Sequence, residues 1–392
     1  MGAVTAAPPL EPLVAVDVEA IELVTVPLRI VRPLHTAGTG PAEGATQAES
    51  SVREVLLVHV RAREAEGWAE CVAEASPTYA PEFTEGAHAV LRRHLIPRAW
   101  AGPTGDALAL GSHLDTVRGH PMARAALELA VLDAQLRAAD RSLASWLGAT
   151  GAPVAAGAAL GLHGAVDDLL ADAEAALQAG AVRLRVKVAP GRAAERLLAL
   201  RAHVGHDALL QADANGSFTL HDPAHLDELR RLDRVGLTCL EQPLASDDLL
   251  GHARLADVLS TPICLDEPLT SLAAIEAAVH LGACEVVCLK PARVGGWIAA
   301  RQVHDRCVEL GVPMWVGGML ETGVGRAANL AVAGLPGATW PADLDPRPRY
   351  EADLAPVPTP VDGLVGLPTG PGTGAAPDPA RLSDADVVPV PA

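Results

Sequence analysis

From about Val154 to Leu344 the chain alternates short apolar runs with amphipathic stretches, the pattern of βα units around a parallel sheet. The apolar runs lie at 154–162, 181–189, 208–215, 237–243, 261–267, 283–291, 312–318 and 338–344, which predicts eight strands. Helical patterns fall between them. In 165–180, Val166, Leu169, Leu170, Ala173 and Leu177 recur on one helical face, and Gly180 closes the helix. Eight such units at a spacing of about 25 residues fit a (β/α)8 barrel better than an open doubly wound sheet, which usually stops near about six strands.

The first 150 residues read differently. The segments 21–30 and 54–62 alternate as strands, whereas 86–100 and 123–138 are helical, an α+β pattern outside the barrel count. Small and polar residues fill 35–51, and turn-forming residues fill 74–86; both are loops of the kind that act as active-site lids. From Pro356 onward the chain is rich in Pro and Gly, a composition open to a disordered tail or to a segment that returns to the cap. The expected fold class is therefore α/β: a TIM-type barrel over 151–355, an α+β capping domain over 1–150, and a C-terminal segment over 356–392 that completes the cap.

Composition narrows the function. Forty-eight acidic against thirty basic residues give a net charge of −18, the wrong sign for gripping nucleic acid or an anionic membrane face. No apolar run reaches the roughly 18 residues of a membrane span, and the opening residues lack the pattern of a signal peptide. The six cysteines contain no CxxC pair, so they read as buried thiols of a reducing cytoplasm.

In such a barrel the reactive groups stand at the C-terminal ends of the strands. Reading the last residues of five successive strands gives Lys187, Asp213, Glu241, Asp266 and Lys290, spaced by 26, 28, 25 and 24 residues. Any one acidic residue there is most simply a helix cap or a salt-bridge partner. Five charged residues in register around one mouth are a constellation. Three carboxylates without His or Cys favour Mg²⁺, with Mn²⁺ as a substitute. A lysine on each side of a metal-bound carboxylate suits removal of the proton α to that carboxylate, and nearby positive charge brings an amine toward the pH at which it acts as a base. Racemisation, epimerisation and β-elimination are all open to this arrangement.

These residues resemble the enolase superfamily, and within it the muconate-lactonising subgroup, over nearly the whole chain. That subgroup ends its second barrel strand in KxK; here RVK places Lys187 at the catalytic position and Arg185 where the first lysine is usual. The family's metal ligands map onto Asp213 in DAN, Glu241 in EQP and Asp266 in LDE, and its opposite lysine onto Lys290 in LKPARVGG. The stretches 70–97, 317–337 and 367–374 are similar to the branch of o-succinylbenzoate synthases and N-succinylamino acid racemases. The resemblance implies substrate-binding or tuning roles for Arg185, Asn215, Arg293, Met319, Glu321 and Tyr79. It also implies a small carboxylate substrate, a homo-oligomer, and closure of the 35–51 loop over the substrate tail. For Arg293 a bond to a loop carbonyl is the plain alternative to biasing Lys290 by like charge.

The activity so implied is Mg²⁺-dependent o-succinylbenzoate synthesis, by dehydration of 2-succinyl-6-hydroxy-2,4-cyclohexadiene-1-carboxylate on the path to menaquinone. N-acylamino acid racemisation at the same lysine pair is the close rival. A dipeptide epimerase is third, resting on Asp343 and Asp345, which read more simply as a strand-end acid and a turn cap. A non-catalytic carboxylate binder would be expected to lack a lysine or an acid of the set, and none is missing. Glu267 faces away from Asp266 if the strand stays regular through it, unless it belongs to the loop where alternation ends. Glycines 38, 40 and 44 do not form a dinucleotide-binding fingerprint.

Overall fold

The computed structural model describes residues 8–37 and 52–392, so the 35–51 loop lies outside the described residues from 38 onward. The cap is an antiparallel sheet of β1 (Val18–Arg29), β2 (Val52–Ala62) and β3 (Glu66–Cys71). Strand alternation gives this sheet two apolar faces. Ile21, Leu23, Leu56, Val58 and Val60 join the main core with the long helix Pro121–Ala138. Val24, Val26, Leu28, Val55 and Leu57 pack instead on Tyr350, Leu354 and Ala355, from the chain just past the barrel.

The helix expected over 86–100 is interrupted. Thr84–Val90 runs into a π-helical turn at Leu91–Leu95 and then into Ile96–Trp100. Pro97 has no N–H to give to the preceding turn, and the wider π turn absorbs that break. The helix Ala107–Leu114, capped by the Asp106 carboxylate on Leu108 and Ala109 N–H groups, and the strand β3 were not foreseen.

The barrel contains all eight expected strands: β4 (Val154–Leu160), β5 (Arg183–Lys187), β6 (Leu209–Asp213), β7 (Leu240–Glu241), β8 (Ile263–Leu265), β9 (Val286–Leu289), β10 (Met314–Val316) and β11 (Ala342–Asp343). They pair in parallel in the order β10-β9-β8-β7-β6-β5-β4-β11, and an isolated parallel bridge from Met314 to Ala338 joins the two ends. Register puts Lys187 beside Asp213 and Asp213 beside Glu241, one row across three strands.

After the barrel, β12 (Leu364–Val365) pairs with the start of β4, at the end of the barrel opposite the mouth. The chain then returns to the cap, where β13 (Asp386–Val390) is the edge strand beside β1. Pro389 is tolerated there because an edge has no further partner for its missing N–H. All six cysteines are free and buried. Among the described residues no helix is long and apolar enough to cross a membrane.

Candidate active site

Lys187, Asp213 and Glu241 close their strands, and Asp266 and Lys290 follow β8 and β9 directly. All five are buried. The two lysines stand on the second and sixth barrel strands, half a turn apart, with the three acids on the strands between. Lys187 Nζ donates to Asp213 Oδ2 at 2.6 Å and Asn215 Oδ1 at 2.7 Å. Lys290 Nζ donates to Asp266 Oδ2 at 2.9 Å and Tyr79 Oη at 2.6 Å. Both lysines, with Arg185, Asn215, Tyr79 and Met319, line one cavity of about 110 Å³ closed from the cap side by Leu34 and Glu74.

Arg185 lies inside the acidic row. Its Nη1 reaches Asp213 Oδ2 at 2.6 Å and Glu241 Oε1 at 3.1 Å, and its Nη2 pairs with Asp343. Arg293 splits its guanidinium between Asp266 Oδ1 at 2.7 Å and Tyr79 Oη at 2.7 Å, while its Nε reaches the Leu269 carbonyl at 3.4 Å. The bond to a loop carbonyl, the plain alternative for Arg293, is therefore present. Tyr79 donates to Asp266 Oδ2 at 2.5 Å, so a cap hydroxyl joins the lysine, the arginine and the acid. Glu321 does not line the lysine cavity but the smaller one beside it; it accepts from Met319 N–H and the Asn329 amide and so shapes the loop after β10.

The electrostatics are lopsided along the row. Burial, then repulsion from Asp213 and Asp266, pushes the Glu241 carboxyl up to about 8 despite Arg185. Asp266 goes the other way: burial would raise it, but Arg293 and Lys290 hold it well below the usual carboxylate range. Burial works to lower the Lys290 ammonium, yet Asp266, Tyr79 and Cys288 hold it well above the usual lysine range. Arg293 pushes Lys290 in the anticipated direction and is outweighed by Asp266.

The donor set fits a hard divalent cation. Ligand atoms of Glu241, Asp266 and Cys288 lie within 4.8 Å of one another, and Asp213 is tied to Glu241 through the shared Arg185 nitrogen. Cys288 is a poor member of such a set, because burial, with Asp266 and Glu241, keeps its thiol well above the usual range and therefore protonated. Glu267 leaves one carboxylate oxygen buried without a partner. Mutual repulsion among buried acids is what a divalent cation relieves.

Several residues of the site were not singled out from the sequence. Arg183 and Gln211 lie two positions before Arg185 and Asp213, and so point into the same barrel interior one layer down. Gln211 donates to Glu241 Oε2 at 2.7 Å, and Arg183 donates to Gln211 Oε1 at 2.7 Å. Period-two alternation was the signal that could have found them. Trp315 lies under both guanidinium groups, 4.5 Å from Arg183 and 5.3 Å from Arg185 to the ring centre. For Glu267 the second of the two alternatives holds. Because β8 stops at Leu265, alternation ends there, and the Glu267 side chain turns into the mouth to accept from Asn215 Nδ2 at 3.0 Å.

Asp343 and Asp345 are both held by arginines: Asp343 by Arg183 and Arg185, and Asp345 by Arg32 and Arg347.

Buried acids in a row between two lysines at the mouth of a capped barrel define a class of enzyme, and comparison with known proteins gives the same answer. A family profile described as "Enolase C-terminal domain-like" matches residues 168–381. An N-succinylamino acid racemase of Amycolatopsis sp is 43% identical over 366 residues, 93% of this chain and 96% of the relative. An o-succinylbenzoate synthase of Geobacillus stearothermophilus is 39% identical over 325 residues, 82% of this chain and 86% of the relative. The crystal structure of an enolase superfamily member from Enterococcus faecalis V583 superposes with a TM-score of 0.86 at 30% identity, covering 96% of this chain and 100% of that one. The chain belongs to the enolase superfamily, in the branch that holds o-succinylbenzoate synthases and N-succinylamino acid racemases. It is accordingly an enzyme of the lyase or isomerase type.

Proposed function

We propose that the protein abstracts the proton α to a carboxylate, and that its principal reaction is o-succinylbenzoate synthesis by dehydration of 2-succinyl-6-hydroxy-2,4-cyclohexadiene-1-carboxylate. The observation that carries this reading is the pair of lysines half a barrel apart, facing one cavity across three buried carboxylates. Asp213, Glu241 and Asp266 would hold the cation, Mg²⁺ by family resemblance. When bound, it supplies the positive charge that lets a carboxylate accept the second negative charge of an enediolate.

Lys187, as the free amine, takes the α-proton, and the electron pair of that C–H bond moves into the enediolate. The C–O bond then breaks, and the Lys187 ammonium gives its proton to the departing hydroxide, so that o-succinylbenzoate and water leave. The Lys290 ammonium stabilises the enediolate from the other face, oriented by Asp266 and Tyr79. Asn215 orients Lys187.

N-succinylamino acid racemisation is the second reading, favoured by the racemase relative that matches 93% of this chain. It uses the same residues: one lysine removes the α-proton as amine, and the other returns a proton from the opposite face as ammonium. The dipeptide reading is weaker, since both Asp343 and Asp345 already carry arginine partners.

A paired assay with Mg²⁺ tests the assignment: dehydration followed by absorbance, and α-proton exchange of N-succinyl amino acids in D₂O followed by NMR. Fast dehydration with slow exchange supports the synthase. Exchange and racemisation alone reverse the order of the two readings, and silence in both overturns them.

A further inference from the structure

The acids of the row are already answered by this chain's own cations. Arg185 Nη1 and Lys187 Nζ both reach Asp213 Oδ2 at 2.6 Å, and the same Arg185 nitrogen reaches Glu241 Oε1 at 3.1 Å and Oε2 at 3.4 Å. Lys290 and Arg293 take one oxygen each of Asp266. Four cations thus serve three carboxylates, and a divalent cation bound to the same oxygens has to displace a donor that is already there.

The four cations differ in what still holds them once an acid is taken away. Lys187 keeps Asn215 Oδ1 at 2.7 Å, and Lys290 keeps Tyr79 Oη at 2.6 Å. Arg293 keeps Tyr79 Oη and the carbonyls of Leu269 and Cys288. Arg185 is divided. Among the described residues its Nη1 has no acceptor besides Asp213 and Glu241, whereas its Nη2 pairs with Asp343. Asp343 is itself fixed by Arg183 Nη2 at 2.6 Å and Gly318 N–H at 3.1 Å, so that side of the fork is anchored. The Trp315 ring, 5.3 Å from the guanidinium carbon, supports the planar group as well. Arg185 also borders the lysine cavity, which leaves its Nη1 end space to turn into. Unlike a lysine, an arginine cannot shed its proton to make way for another cation.

We infer that Arg185 is a built-in counter-cation that competes with the divalent cation for Asp213 and Glu241. Its Nη1 bridges the two acids in the metal-free protein and yields them when the cation binds, while Nη2 stays on Asp343. This rests on the proposed reading that Asp213, Glu241 and Asp266 hold the cation, and it deepens that reading by naming the residue that sets how tightly they do so. The bridge keeps like-charged carboxylates together without metal, and for the same reason it weakens the hold on the metal.

Calorimetric titration with Mg²⁺ alone and thermal melts with and without Mg²⁺ test this in wild type, Arg185→Met and Arg185→Lys. Arg185→Met, which keeps the length of the side chain and has no donor, is expected to bind Mg²⁺ about 10-fold more tightly than wild type, the scale of one hydrogen bond to a charged group. Its metal-free thermal midpoint is expected to fall, and Mg²⁺ to restore it, so that the rise on adding Mg²⁺ exceeds that of wild type. Arg185→Lys, which keeps a charge and loses the fork, is expected between the two. A residue that only braces the acids would weaken Mg²⁺ binding when removed. Affinity equal to or below that of wild type in the variants therefore overturns the inference, and if Arg185→Met does not fold, that result in Arg185→Lys alone overturns it. Asp213→Asn separates this inference from the reading beneath it. Unchanged Mg²⁺ affinity in Asp213→Asn removes the ligand set, whereas weaker binding there, with no gain in the Arg185 variants, removes the counter-cation alone.

Discussion

The barrel mouth and the seam between cap and barrel are both built on buried charges, and they use them differently. At the seam, Arg53 Nη1 donates to Glu70 at 2.9 Å, to the Tyr350 hydroxyl at 2.9 Å and to the Leu320 carbonyl at 2.7 Å. The other Glu70 oxygen accepts from the N–H and hydroxyl of Thr322 at 2.9 and 2.7 Å, where the helix Gly323–Ala333 begins. Each charge there answers one of opposite sign. At the mouth, two cations share Asp213 and two share Asp266, neighbouring carboxyls are driven in opposite directions, and the group faces a cavity. Charges that complete one another hold two elements together. Charges that compete around a void are set up for a ligand.

The sharpest way to break this contrast is to remove the lysines. Lys187→Ala and Lys290→Ala should each lower turnover by at least ~10³-fold while the thermal midpoint and Mg²⁺ affinity stay close to wild type. Turnover surviving in both variants would sink the mechanism. Asp213→Asn should weaken Mg²⁺ by more than ~10-fold in titration calorimetry; unchanged affinity would take Asp213 out of the ligand set.

At the seam the large effect should be on stability. Arg53→Met leaves the buried Glu70 carboxylate unpaired and should cost about 3 kcal/mol in urea melts, whereas adding Glu70→Leu should recover much of that loss. A double variant as unstable as the single one would mean that the pair acts through something other than mutual neutralisation.

The smallest effect concerns Glu128, a cap carboxyl that reaches the barrel helix Trp297–Leu310 and that burial pushes up to about 8. Its folded value lies above its unfolded value of about 4.5. Between those pH values the unfolded chain releases the proton and the folded chain keeps it, so this group's contribution to stability falls as pH rises. Glu128→Gln should therefore match wild type near pH 4.5 and exceed it by a few degrees in thermal midpoint at pH 8. Parallel curves across that window would contradict the assignment.

Much of the site was legible because a strand repeats every two residues and a βα unit every 25 or so. Those two periods place Lys187, Asp213, Glu241, Asp266 and Lys290 on one rim, and the structure brings them together there. The same periods point to Arg183 and Gln211 one layer below. They stop working where a strand stops: Glu267 turned inward because β8 ends two residues before it. In the cap, Pro97 shows the same limit for helices, since the helical pattern of 86–100 carries no mark of how the chain passes a missing donor.

By itself, then, the sequence determined the barrel, the cap's first two strands and the order of charged groups around the mouth, because each follows from local period and chain length. Tertiary structure alone decided that Arg185 sits between the acids, that Tyr79 crosses 187 residues of sequence to reach Asp266, and that Arg326 and Arg349 share a chamber with Glu321, Asp343 and Asp345. Those outcomes depend on which long side chain reaches a buried charge first. That competition is settled by distance in three dimensions and by the cost of leaving a charge unpaired, and neither is written in the spacing of residues along the chain.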